Sequence, residues 1–316
     1  MAEPIPVIID TDIGEYIDDL LAISFVLNSP EFDLLAITTV DCDTASRSRI
    51  ARRVTKAYKR PDIPVARGYT RSMPVGDVEV PPRDGVHQDA VAPTEDGLPP
   101  ECELFADALI AKLAAERPGE ITLLTIGSTS NVGYALVKYP ETAKNLKQIV
   151  TNGGHFNDRQ AAIGWNLRYD PVAAAVIARS EADWVLLSEG STRAARLTHA
   201  DEKAIAERGL ETTDVITQAI GEWRKHKREV TAETTPHVSD MVGPAYLLDP
   251  ANLTVRRGKA TILVPPRHTL GGLQIEWTDD GPHTLGWAGP DEKMHALHAL
   301  FMQRILAEPR GARGGT

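Results

Sequence analysis

Residues 7–27 read VIIDTDIGEYIDDLLAISFVL and hold Asp10, Asp12, Asp18 and Asp19 between two apolar runs. Four carboxylates at this spacing repel one another, so keeping them together calls for a compensating positive charge. A helix N-terminus supplies part of it: Asp18 or Asp19 could cap the helix that opens there and favour its positive end. Asp10 and Asp12 gain nothing from such a cap. A hard divalent cation relieves three or four clustered carboxylates at once, and oxygen ligands suit calcium or magnesium.

Such a cluster needs strands and helices to place it. Short apolar runs recur at 6–10, 33–40, 63–66, 121–127, 148–154 and 183–190, separated by helix-like segments at 18–28, 44–58, 102–116, 130–139 and 170–179. Apolar strands alternating with helices predict an α/β fold, a doubly wound, mostly parallel sheet with helices on both faces. A helical and strand-rich C-terminal extension follows. Its helices are expected near 201–208, 212–228 and 240–248, its strands over 252–287, and a last helix over 290–307. Residues 1–308 are expected to form one domain, with 309–316 a flexible tail. Residues 68–100, rich in Pro, Gly and Asp, predict a long loop of the kind that often carries function. In parallel α/β sheets ligands bind beyond the carboxyl ends of the strands. Asp10 and Asp12 end the first strand, 13–17 turn, and Asp18 and Asp19 open the helix, so all four converge on one rim.

Bulk properties narrow the partners. The chain has 316 residues, 42% of them hydrophobic, and a formal net charge of −10, an acidity that chiefly serves solubility and argues against nucleic acid as a partner. Two cysteines, Cys42 and Cys102, make neither a disulfide framework nor a zinc site. With no signal-peptide pattern and no long apolar span, the expectation is a soluble cytoplasmic protein that does not engage a membrane.

Two chemistries use a strand ending in Asp-x-Asp. Phosphoryl transfer of the haloacid-dehalogenase type would need a late Lys paired with a further acidic motif, and none stands out. The other is nucleoside hydrolysis, where a Gly turn and an Asp-Asp pair follow. The chain has that pattern and resembles the inosine-uridine-preferring nucleoside hydrolase family, in the branch whose motif reads like DTDIGDDIDDALAL. GSTSN (127–131) resembles the family's Gly-Pro-Leu-Thr-Asn turn, and TNGGHFNDRQAAIGWNLRYDPVAAAVI (151–177) its Gly-Gly … Glu-x-Asn … Asp-Pro-x-Ala-Ala segment. SDMVGPAYLLDP (239–250) resembles its His-Asp-Pro-x-Ala helix start, and VDCDT (40–44) its second-strand turn.

The resemblance implies a calcium-dependent N-ribohydrolase acting on a small ribonucleoside. Asp12 matches the aspartate that binds Ca²⁺ and takes a proton from the attacking water. Asp19 and Asp240 match metal ligands, and Ser130 matches a residue whose main-chain carbonyl completes the site. Asp18 matches an acceptor for ribose hydroxyls, Asn166 matches an asparagine that grips the ribose, and Asp10 supports the cluster from behind. Relatives are commonly dimers or tetramers, so a homo-oligomer is expected.

The chain also departs from the family. Ser239 replaces a His assigned in part of the family as leaving-group acid, and Gly164 replaces a Glu that helps hold the 5′-hydroxyl. The metal and diol grips therefore look intact, while the base pocket and the 5′ end look altered. His87, in RDGVHQD, is the first choice for the missing acid, with a match to a His in the family's loop. His155, Trp223 and His237 are candidates for substrate contact, as are Arg224 and His226 on the helix that would flank the pocket. Trp165 and Arg168 flank Asn166. Two alternatives stay open: a hydrolase of an atypical or 5′-modified ribosylated compound, and a ribonucleoside-binding relative without catalysis.

Overall fold

The computed structural model describes residues 3–73, 86–191, 196–226, 234–264 and 271–311. In chain order these form β1 (Ile5–Thr11), α1 (Asp18–Asn28), β2 (Phe32–Thr39), α2 (Thr44–Ala57), β3 (Val65–Arg67), α3 (Ala106–Glu116), β4 (Thr122–Thr125), α4 (Ser130–Lys138), α5 (Thr142–Asn145) and β5 (Gln148–Asn152). A small hairpin of β6 (His155–Phe156) and β7 (Ala161–Ala162) leads to α6 (Trp165–Tyr169), α7 (Pro171–Arg179) and β8 (Trp184–Leu187). The chain continues through α8 (His199–Glu207), α9 (Glu211–His226), α10 (Val242–Leu248), β9 (Thr254–Leu263), β10 (Gly272–Trp277), β11 (His283–Trp287) and α11 (Asp291–Leu306).

Nine strands make one sheet, in the order β10-β9-β11-β8-β5-β4-β1-β2-β3. From β3 to β11 neighbouring strands run parallel; β9 and β10 are antiparallel. The strand-rich tail is thus no separate appendage: β11 pairs with β8 and carries the sheet outward. Strand order reverses between β1 and β4, which makes their carboxyl ends the switch point where α/β proteins bind ligands.

Period-2 patterning explains both faces. Val7 and Ile9 of β1 enter one core, Ile8 the other; Leu124 and Val150 join the first, Leu123 and Ile149 the second. The first core packs beneath α1, α2, α9, α10 and α11, the second beneath α3, α4, α5 and α7. Every residue of α1 is buried, so it shows no polar face, and α11 covers it with Phe301 stacked on Phe25 at 6.2 Å.

Several boundaries shift for local reasons. The 102–116 helix begins only at Ala106, because Cys102 N still bonds to Val65 O beside β3. Helix 240–248 opens as a 3-10 turn over Ser239–Met241. Of the long 68–100 loop, 86–100 is described, and it lies on the Asp-rich turn: His87 N and Gln88 N donate to Gly14 O, and Gln88 Nε2 donates to Tyr16 O at 2.8 Å. Residues 74–85 and 312–316 fall outside the described residues; within the expected tail, Arg310 N donates to Asn28 Oδ1 at 3.0 Å. Among the described residues no helix is long and apolar enough to cross a membrane.

Candidate active site

At the end of β1 the chain turns at Gly14, whose φ of +110° favours glycine, and a Cβ there would meet Val86 and Ile50 at under 3 Å. The turn delivers Asp18 and Asp19 as the first two residues of α1. Neither caps it: the N-cap is Ile17, with no side-chain capping bond. Asp18, Asp19 and Asp240 are all buried, with carboxylate oxygens within 4.8 Å of one another. Burial, and then the charge of Asp12, pushes Asp18 up to about 7. Burial and the charges of Asp12 and Asp18 raise Asp19 well above the ordinary carboxylate range, and burial with Asp18, Asp19 and Asp12 does the same to Asp240. Asp12, itself buried, is therefore electrostatically part of the group. Arg47, wholly buried behind the turn, donates to Asp41 O and Ile13 O and eases Asp19, but one guanidinium cannot balance the cluster.

A second layer holds the acids. Thr11 Oγ1 donates to Asp19 Oδ1 at 2.5 Å and accepts from Ile13 N at 3.1 Å. Asp10 accepts from Thr38 Oγ1 and Asn131 Nδ2, while its buried Oδ2 has no hydrogen bond among the described residues; burial pushes its carboxyl up to about 7. At the end of β2, Asp41 and Cys42 take left-handed φ of 70° and 54°, which turns the Asp41 carboxylate to accept from Ser128 Oγ at 2.8 Å. Ser130 Oγ donates to Asp170 Oδ2 at 2.6 Å and lies 3.3 Å from Ser128 Oγ. Asn152, at the end of β5, donates from Nδ2 to Asp240 Oδ1 at 2.6 Å.

Two flanks extend from this centre. On one, Asn166 donates from Nδ2 to Ile126 O at 2.8 Å and to Asn152 O at 3.0 Å. Glu189 accepts from Trp165 N and Asn166 N and pairs with His155 Nε2 at 3.3 Å; burial raises its carboxyl, and these partners hold it back. Trp165 is 44% exposed and has the Arg168 guanidinium over its ring at 4.6 Å. On the other flank, His237 Nδ1 lies 3.7 Å from Asp18 Oδ2 and 3.0 Å from Ser239 Oγ, with its ring stacked on Tyr16 at 5.2 Å.

The structure brings together Asp12, Asp18, Asp19 and Asp240, and sets Ser130 at the start of α4 and Asn166 in α6. It joins His237 to the cluster directly and docks His87 on Gly14 through its backbone. Asp18, expected to serve hydroxyls, also stands within the closest carboxylate group. His155 sits on the outer rim, its side chain 49% exposed. Trp223 is 1% exposed, and its ring lies 6.0 Å from that of Tyr16. Sequence reasoning did not single out Asn152, Glu189, Tyr16 or Arg47. Asn152 and Glu189 do carry a signal, as polar residues at or just past strand ends; Arg47 and Tyr16 read as ordinary helix and turn residues.

The donor set fits a hard cation: carboxylates raised first by burial and then by one another's charge, converging oxygens, and beside them a buried Asn152 Oδ1 that has no hydrogen bond among the described residues. Fold and site together thus define an α/β protein with a candidate cation centre at the switch point of its sheet. The sequence profile of the inosine-uridine preferring nucleoside hydrolases matches residues 7–300, and the chain belongs to that family of N-ribohydrolases. It is similar to a probable uridine nucleosidase 2 of Arabidopsis thaliana, 33% identical over 208 residues, 63% of this chain and 64% of that protein, so less than two thirds of that relative is matched. A probable uridine nucleosidase 2 of Oryza sativa subsp. japonica is 28% identical over 294 residues, 88% of this chain and 85% of that one. A solved plant nucleoside hydrolase superposes with a TM-score of 0.77 at 24% identity, covering 96% of this chain and 99% of that chain, which establishes the shared fold.

Proposed function

We propose that this protein hydrolyses the N-glycosidic bond of ribonucleosides, releasing ribose and a free base, with calcium as its cation. The observation that carries this reading is the buried grouping of Asp18, Asp19 and Asp240 beside Asp12, at the switch point of a chain matched to the family over residues 7–300. Asp12, Asp19, Asp240 and the Ser130 carbonyl would hold the cation, with Asp18 close enough to contribute. When bound, it would neutralise the cluster, anchor vicinal hydroxyls and make a water easier to deprotonate.

The chain's own groups account for the rest. Asp12 takes a proton from the water that attacks C1′. Asp18 accepts a hydrogen bond from a ribose hydroxyl and, with its neighbours, offsets the positive charge that grows on the sugar as the bond to the base stretches. The Asn166 carbonyl, both of whose amide hydrogens are engaged, acts only as an acceptor. The leaving base collects a proton, with His87 and His237 as the imidazoles near the turn.

A second reading, a hydrolase of a 5′-modified or otherwise atypical riboside, is supported by position 164. A Cβ there would stand 2.2 Å from Gly154 N and 2.4 Å from Glu189 Oε1, so no side chain at 164 reaches the substrate. A panel of purine, pyrimidine and 5′-substituted ribosides, assayed for reducing sugar with and without chelator, separates the two. Binding without sugar release would instead identify a non-catalytic relative. Turnover of plain nucleosides that survives chelation would overturn the cation dependence.

The same reading includes a cytoplasmic homo-oligomer, dimer or tetramer. Exposed Leu104, Phe105, Val137 and Tyr139 on the α3 and α4 side support assembly, and sedimentation together with cell fractionation tests both points.

A further inference from the structure

Helix α6 is five residues long and its N-cap is Gly164, which has no side chain to meet the first-turn N–H groups. Glu189 meets them from the turn that follows β8: Oε2 accepts from Trp165 N at 3.1 Å and Oε1 from Asn166 N at 3.3 Å. Its own backbone is tied down, since Glu189 N donates to Gly154 O at 2.7 Å. Glycine at 164 is what lets the carboxylate come this close.

Asn166, one turn position further, has both amide hydrogens on main-chain carbonyls, Ile126 O and Asn152 O. That fixes which end of the amide is which. Oδ1 is left as an acceptor that meets no donor among the described residues and is not sealed from solvent. Asn152, in turn, bonds to Asp240 of the acidic centre. An unbroken chain of hydrogen bonds therefore runs from Glu189 through Asn166 and Asn152 to Asp240.

We infer that Glu189 is the positioning residue for Asn166: by standing in for the absent cap of α6 it fixes the Asn166 carbonyl as an acceptor for a sugar hydroxyl of the substrate. The inference rests on the riboside-hydrolase reading and goes beyond it. Glu189 acts through Asn166, with its oxygens already occupied by two backbone N–H groups and His155.

The test is a double-mutant cycle of Glu189→Ala and Asn166→Ala, read as kcat and KM on the nucleoside the wild type cleaves best. Each single change should lower kcat/KM by about 10- to 100-fold, as loss of hydrogen bonds involving a charged or substrate-binding group does. In the Asn166→Ala background, Glu189→Ala should add less than about twofold, because the residue through which it acts is gone. Glu189→Gln should fall between wild type and Glu189→Ala: its carbonyl still accepts one N–H while its amide opposes the other. If Glu189→Ala does not fold, Glu189→Gln carries the same cycle. Losses that multiply fully in the double variant, or wild-type kcat/KM in Glu189→Ala, would overturn the inference. A wild type that cleaves no riboside would refute the functional reading instead; the cycle is then read from D-ribose affinity by calorimetry, where non-additive losses support the positioning role and additive ones reject it.

Discussion

Asn152 donates from Nδ2 to Asp240 Oδ1 at 2.6 Å, and its main-chain carbonyl accepts from Asn166 Nδ2 at 3.0 Å. One residue at the end of β5 thus holds an acid from the far end of the chain and orients an amide on α6. Its buried Oδ1, next to the carboxylates, has no hydrogen bond among the described residues.

Asn152→Ala should lower calcium affinity by about 10- to 100-fold, the usual effect of losing a group that orients a metal-binding carboxylate. Calcium titration by calorimetry reads this directly. Unchanged affinity would mean that Asp240 keeps its place without Asn152.

The cluster sets a pH dependence for the cation-free protein. Asp10 and Asp18 have ordinary values of 3.8 and are pushed to about 7 in the fold, and Asp19 and Asp240 are likewise raised well above 3.8 by burial and by neighbouring carboxylates. Between about pH 4 and 7 the folded state therefore binds more protons than the unfolded one, so stability falls as pH rises. Chelator-stripped protein should therefore melt lower at pH 8 than at pH 5. Calcium should raise Tm more at pH 8 than at pH 5, since protons compete for the same carboxylates. A chelated protein that melts higher at pH 8 would contradict the assignment.

Asp12→Asn keeps the shape of the side chain and removes the proton acceptor. Turnover should drop by at least about 100-fold, within the range of general-base losses, with little change in Tm. Retention of a tenth of wild-type kcat, measured as ribose release, would take the base role from Asp12.

The leaving group can be examined with two substrates. His87→Ala and His237→Ala are each compared on inosine and on p-nitrophenyl riboside, whose phenolate leaves without a proton. The imidazole that serves as acid should cost about 100-fold or more on inosine and little on the aryl riboside. Equal losses on both substrates would point to a role in positioning: Tyr16 and Asp18 in the case of His237, the Gly14 turn in the case of His87.

Much of this protein was legible along the chain. Alternating apolar runs predicted β1, β2, β4, β5 and β8 and the helices between them, because a strand buried on both faces needs near-continuous hydrophobicity. The Asp-x-Asp strand end, the Gly14 turn and the Asp18-Asp19 pair lie within ten residues, so local geometry alone puts them on one rim. The remaining contacts were decided by sheet order. β5 stands between β4 and β8, which brings Asn152 to Asp240 across 88 positions and Glu189 to Asn166 across 23. No local pattern encodes which strand ends become neighbours, and a polar residue just past a strand looks the same whether it meets solvent or a ligand. The same holds for Trp223, an aromatic on a flanking helix whose burial and whose place beside the Tyr16 ring only packing decides.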